Sequence, residues 1–216
     1  MIKLIPDFGD ILVEWWNQNG RSFPWRNTED PFKIFVAEVL LHRTRAYSVV
    51  PVYLELINNF STMHDLSQVD EKTLQRMLAS LGLKWRTRML HETSRIIDIN
   101  YGGIIPIEKD KLLSLPGIGD YIASAVRVFT IGSDDPLIDT NTVRVISRFR
   151  GWKQDDKIRR TEKVRNSYSH LRGKQNPKYY GYAMIDLAYT ICLPRTPNCV
   201  RCPISKNCKT GKSNLS

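Results

Sequence analysis

The first 191 residues of this 216-residue chain contain no cysteine. That excludes a disulfide framework for the body of the protein, whose stability must come from an apolar core. Long apolar runs are missing as well. None approaches the roughly 20 residues that a membrane-spanning helix needs. The opening MIKLIPDFGDILVEWW mixes acids into its apolar residues and shows no small-residue cleavage site, so it does not read as a signal peptide. The expectation is a cytoplasmic, nucleoid-associated protein with no membrane partner. There is no convincing strand pattern, no tandem repeat and no long linker. Acids are outnumbered, with 22 Asp and Glu against 32 Lys and Arg, a formal net charge of +10. Such an excess favours a polyanion, nucleic acid being the commonest. The bases are densest over residues 84–95, 144–172 and the C-terminal tail.

What is present is helical period. The hydrophobic fraction of 42% is that of a globular chain. Ile11, Leu12, Trp15 and Trp16 mark one face of a first helix that Gly20 ends. Asp30-Pro31 opens a second, with Phe32, Phe35, Val36, Val39 and Leu40 as its buried set. Further helices are expected over residues 46–60 (with Pro51 a kink or a late start), 63–69, 71–81, 90–99, 109–114, 140–149, 157–171 and 177–191. Residues 209–216 read as a frayed tail.

Residues 115–144, LPGIGDYIASAVRVFTIGSDDPLIDTNTVR, organise the rest. Gly117 and Gly119 flank a tight turn ahead of an amphipathic helix, where positive φ and close backbone approach are open to glycine. The amides of Asp120 and Tyr121 then start a helix, whose positive dipole end suits an anion. An ordinary glycine-capped corner has the same sequence. Asp139 stands twenty residues past Gly119, before Thr140-Asn141-Thr142. It reads as an N-cap, and an N-cap oxygen is compatible with a catalytic one. Glu38 lies among the apolar residues of the second helix, either partnered or near a cleft, or solvated on the helix flank. His42-Arg43-Thr44-Arg45 ends that helix with cations, which suit a C-terminus or a DNA-facing tip.

All four cysteines fall within C-x6-C-x2-C-x5-C: Cys192, Cys199, Cys202 and Cys208. Four thiols with three prolines between them read as one metal site. Zinc and an iron–sulfur cluster both take four thiolates, and the spacing alone leans to zinc.

LPGIGDY, then Asp139, then the cysteine pattern together resemble the helix-hairpin-helix base-excision DNA glycosylases related to endonuclease III, over almost the whole chain. The resemblance implies an all-α, two-lobed fold. Residues 24–135 would form a six-helix, barrel-like lobe with the hairpin, and residues 1–23 plus 136–216 a second helical lobe with the cysteine loop. It implies a [4Fe–4S] cluster on Cys192, Cys199, Cys202 and Cys208. Bifunctional members carry a Lys after the hairpin; here Gly119-Asp120-Tyr121-Ile122 has none, so a strand-cutting amine is not expected. Phe23-Pro24-Trp25-Arg26, Ala37-Glu38-Val39-Leu40-Leu41 and Asp186-Leu187 are similar to the MutY-type adenine glycosylases and their thymine-mismatch relatives. His42-Arg43-Thr44 replaces the usual Gln-Gln-Thr, and no 8-oxoguanine-reading domain follows the cysteines, which looks like the short thymine-DNA glycosylases.

The implied activity is hydrolysis of the glycosidic bond of T or U opposite G in duplex DNA. Removal of A opposite G or 8-oxoguanine is the alternative, and a non-catalytic DNA-binding module with a structural zinc a second. Implied catalytic residues are Asp139, Tyr121 and Glu38, with Asn141 supporting Asp139. Arg43 and Leu83 would fill the gap or touch the orphan base. Lys84, Arg86 and Arg88 would grip phosphates, with Gly117, Gly119 and Tyr121 at the hairpin. A monomer is expected, and an AP endonuclease downstream.

Overall fold

The computed structural model describes residues 7–82, 84–153, 158 and 161–215. In chain order the helices are α1 (Phe8–Asn19), α2 (Pro31–Leu41), α3 (Ala46–Asn59), α4 (Met63–Gln68), α5 (Glu71–Met77), α6 (Lys84–Tyr101), α7 (Lys109–Leu113), α8 (Asp120–Ile131), α9 (Thr140–Arg150), α10 (Glu162–Arg172), α11 (Pro177–Thr190) and α12 (Lys209–Leu215). No strand occurs among the described residues. None of the described helices is long and apolar enough to cross a membrane. The chain divides into two compact units, residues 22–131 and residues 1–21 with 132–216.

The first of these units is built around α2. Asp30 caps the helix by accepting from the Phe32 amide at 2.9 Å, and Pro31 takes the first position, where no amide partner is needed. Phe32 and every residue from Ile34 to Leu40 are buried. A helix apolar all round is covered all round, which is why the amphipathic face read from period misses Ile34, Ala37 and Glu38. α2 packs on α3, α6 and α8. The Phe23-Pro24-Trp25 turn closes one side, with Phe23 stacked on Trp25 at 4.9 Å and Trp25 edge-on to Tyr53 at 5.3 Å. α3 starts at Ala46 and runs through Pro51, so the helix does not start late. Burial of Val49, Val52 and Tyr53 on either side holds that turn despite the lost amide. α5 stops at Met77 and gives way to a 3-10 turn at Ala79–Leu81.

In the other unit α1 packs on α10 and α11, and α9 packs on α10, α11 and α12. Asp186 of α11 is fully buried and binds the end of α1. It accepts from Trp16 Nε1 at 3.0 Å and from Arg21 N and Nε at 2.9 and 2.8 Å, with Arg21 Nη2 at 2.7 Å. Of the helix expected over residues 157–171, the described part begins at Glu162, and residues 157, 159 and 160 lie outside the described residues. The expected frayed tail is instead the helix α12. Gly211 is buried against the Ser205 backbone, where a Cβ would come within 2.7 Å of the Ser205 oxygen, and its amide donates to Cys208 Sγ at 3.4 Å.

Candidate functional site

In the unit of residues 22–131, the hairpin joins α7 to α8. Leu115 and Ile118 are buried and plug the turn into the core, while Gly117 and Gly119 are exposed. The two glycines differ. Gly117 has φ +71°, and a Cβ there would overlap the Met89 sulfur. Gly119 lies outside the positive-φ region, and a Cβ on it would meet nothing within 4 Å. The expectation that both need glycine's backbone freedom therefore holds for Gly117 alone. Open space at Gly119, ahead of the first amides of α8, leaves room for a group from outside. Asp120 pairs with Lys109 Nζ at 3.0 Å, and that ammonium also donates to Ser124 Oγ at 3.1 Å. Tyr121 is half-buried against the core.

Glu38 is buried among the side chains of α2 and its neighbours, 6% exposed. Loss of solvent pushes its carboxyl up to about 7, against the pull of the Arg26 guanidinium nearby. A solvated flank position is thereby excluded. The group sits at the proton-transfer range expected of a general acid at neutral pH.

Arg43 is exposed and has φ +60°, the one non-glycine residue in the left-handed region among the described residues. Arg88 is exposed. Leu83 lies outside the described residues, and for Lys84 only the backbone position at the start of α6 is described. Arg86 corrects the sequence reading. It is 2% exposed and cannot grip a phosphate. Its guanidinium donates to Leu40 O at 2.8 Å, His42 O at 2.8 Å and Thr44 Oγ1 at 2.7 Å. Among Lys84, Arg86 and Arg88 the sequence gives no sign of which cation turns inward, because three bases at alternate positions span more than one face of a helix.

In the unit of residues 1–21 and 132–216, Asp139 caps α9. Its Oδ1 accepts from the Thr142 amide at 2.7 Å and its Oδ2 from Asn141 Nδ2 at 2.7 Å. The side chain is half-buried, so solvent reaches it. Asn141 in turn accepts from Arg144 Nη1 at 3.0 Å, and Arg144 donates to Ala188 O and Cys192 O at 2.9 and 2.8 Å. Burial draws the Arg144 pKa down.

Cys192, Cys199, Cys202 and Cys208 line one recess with Val145, Ile191 and Ile204. Burial pushes the Cys202 thiol up to about 12. Polar donors reach the sulfurs: Arg148 Nη1 to Cys192 at 3.4 Å, Gly211 N to Cys208 at 3.4 Å and Asn214 Nδ2 to Cys199 at 3.3 Å. Arg148 also holds the Leu193 and Pro194 carbonyls, each at 2.6 Å. Among the described residues no three His, Cys, Asp or Glu side chains close on a single ion. Donor set, sulfur-directed hydrogen bonds and apolar walls fit a thiolate-bound group. Arg144 and Arg148 clamp this loop to α9, a role that composition does not mark. Their spacing of four on a helix, which puts them on one face, was the available signal.

Residues 36–169 match the model of the HhH-GPD superfamily base excision DNA repair proteins. The chain is 38% identical to a thymine-DNA glycosylase of Aeropyrum pernix over 91% of each. It is 30% identical to a thymine/uracil-DNA glycosylase of Pyrobaculum aerophilum, over 93% of this chain and 89% of that one. Adenine DNA glycosylases also match, at lower identity. The structure of a thermostable thymine-DNA glycosylase superposes with a TM-score of 0.89 at 29% identity, covering 95% of both chains. The chain belongs to the HhH-GPD superfamily of base excision DNA repair proteins.

Proposed function

We propose that this protein is a DNA glycosylase of base excision repair that hydrolyses the glycosidic bond of T, or U, opposite G, and that it does not cut the strand itself. The observation that carries the substrate class is the likeness to thymine- and thymine/uracil-DNA glycosylases over nine-tenths of the chain. The target base must leave the stack, at a cost of a few kcal/mol that a mismatch lowers. The start of α8, with the open space at Gly119, holds a backbone phosphate through main-chain amides. Arg88 supplies a further phosphate contact, and Arg43 occupies the gap or touches the orphan base. Breaking the glycosidic bond develops positive charge on the sugar. Asp139, held as an acceptor by Thr142 and Asn141, stabilises that charge and orients water. Glu38, protonated up to about pH 7, donates to the departing base. Tyr121 stands in the turn where bifunctional relatives of this family carry their amine, so no Schiff base forms and an AP endonuclease takes the abasic product.

Cys192, Cys199, Cys202 and Cys208 hold a [4Fe–4S] cluster. The C-x6-C-x2-C-x5-C spacing behind the hairpin, which resembles that of the endonuclease III-related family, favours the cluster over a zinc ion, which takes the same four thiolates. When bound, the cluster ties the 191–208 loop together through iron–thiolate bonds. Arg144 and Arg148 fix the loop's carbonyls to α9, the helix that Asp139 caps. Protein acting on duplex DNA as a monomer completes the reading.

A panel of duplexes carrying T·G, U·G, A·G and A·8-oxoguanine tests it. Release of T and U, with strand breaks only after alkali, is the expected result. Release of A alone moves the chain to the adenine branch, whose chemistry a buried carboxylic acid at Glu38 also suits. No release from any duplex rejects the enzyme.

A further inference from the structure

Arg86, on α6, is a buried cation in the unit of residues 22–131. It is the largest fully buried side chain among the described residues. No carboxylate pairs with it among the described residues, and its Nε finds no partner there. Burial draws its pKa down. Placing a cation among neutral groups is expensive, and an apolar side chain would join α2 to α6 at less cost. The expense is informative because of what the guanidinium holds. Its three acceptors are Leu40 O, at the end of α2, and His42 O and Thr44 Oγ1 beyond it. Those carbonyls lie where a helix runs out of amides, and a cation suits that end.

Between the two anchored residues stands Arg43. Its φ of +60° is strained for an L-residue and persists only where the surroundings impose it. The imposition is visible on both sides: His42 through its carbonyl, Thr44 through its hydroxyl. Trp85, next to Arg86 on α6, adds an edge-on contact to the His42 ring at 5.5 Å. Burial and then the Arg43 and Arg86 charges lower the His42 pKa. The left-handed residue between these anchors turns its own side chain out to solvent.

We propose that Arg86 is a positioning residue for Arg43, clamping the turn on both sides of it so that Arg43 is presented as the reader of the orphan base, with guanine preferred over adenine. This rests on the glycosylase reading above. The base preference follows from donor chemistry. A guanidinium only donates; guanine offers two adjacent acceptors, O6 and N7, and adenine replaces one with a donor. Lys at position 86 would not substitute, since a point ammonium cannot span acceptors spread round a planar fork.

The test is single-turnover base release from U·G and U·A duplexes by the full chain, with melting curves on every variant. Arg43→Ala should lower the U·G over U·A ratio about tenfold, the low end of what one bidentate base contact supplies. Arg86→Met should fall to the same ratio, Arg86→Lys should not restore it, and the double variant Arg43→Ala/Arg86→Met should fall no further. Thr44→Val removes one of the three acceptors and should give a smaller drop. Arg86→Met slowing both duplexes equally, or acting multiplicatively with Arg43→Ala, reduces Arg86 to a structural residue and overturns the proposal. If Arg86→Met does not fold, Thr44→Val decides, and an unchanged ratio overturns it. Wild-type release with a ratio near one removes Arg43 as the reader while the glycosylase reading stands. No wild-type release from either duplex rejects that reading, and this inference with it.

Discussion

Two carboxylates, one in each unit, sit in opposite surroundings. Glu38 is on a helix buried on every face, and desolvation dominates it. Asp139 is at the mouth of a helix, half-exposed, with two donors aimed at its two oxygens. The first environment favours holding a proton; the second favours accepting hydrogen bonds. In the function proposed above the first is the acid and the second the charge stabiliser. The lesson is that the chemistry is set by what surrounds each carboxylate, and substitutions should expose the asymmetry.

The largest effect is expected at Asp139. Asp139→Asn keeps a good N-cap, so the fold should persist. It removes the charge that, in the proposed function, faces the developing cation. Base release should fall on the order of 10³-fold while binding to mismatched duplex changes little. Filter binding and single-turnover kinetics on one sample measure both. Turnover near wild type would break the comparison outright.

Glu38→Gln should cost on the order of 10²-fold in base release and flatten the pH profile, since the wild-type step loses its proton donor as pH rises through about 7. Stability moves the other way. The folded carboxyl binds its proton more tightly than the unfolded one, which titrates at the ordinary 4.5. Burial is therefore tolerated at low pH and becomes costly as pH climbs from about 4.5 to 7. At pH 8 Glu38→Gln should be more stable than wild type by up to about 3 kcal/mol, with the gain gone at pH 4. Melting curves at the two pH values check the sign. A gain that is equal at both would mean the site is wetter than its burial implies.

Cys202→Ser sharpens the comparison from the Asp139 side. It should bleach the broad visible absorbance of an iron–sulfur protein and lower the melting temperature, because the loop carrying Cys192 is hydrogen-bonded to Arg144 and through it to Asn141. Zinc with no visible absorbance in the wild type would reject the cluster.

How far these features can be read from sequence differs between the two units. Asp139 is legible as a helix start because Asp before Thr-Asn-Thr has few other uses, and the cysteine spacing marks its loop. The helices and their order are legible from the 3.6 period wherever one face is polar. The unit of residues 22–131 hides more. α2 has no polar face, so period cannot say that Glu38 is enclosed. Arg86 hides in a run of bases, and its partners are backbone carbonyls more than 40 residues away, which leave no mark on composition. The role of Gly119 is hidden too, because two glycines in one turn look alike on the page.

The smallest expected effect separates those glycines. Gly117→Ala puts a side chain at φ +71° and into Met89, and should lower stability by about 1–3 kcal/mol. Gly119→Ala meets nothing within 4 Å and carries no positive φ, so the melting temperature should hardly move. If the space above Gly119 is where a DNA phosphate approaches, the added methyl obstructs the ligand and leaves the fold alone. Binding to a duplex at moderate salt should then weaken severalfold for Gly119→Ala. Unchanged affinity in a fully folded Gly119→Ala would mean that the start of α8 binds no backbone, and the hairpin would be an ordinary corner between α7 and α8.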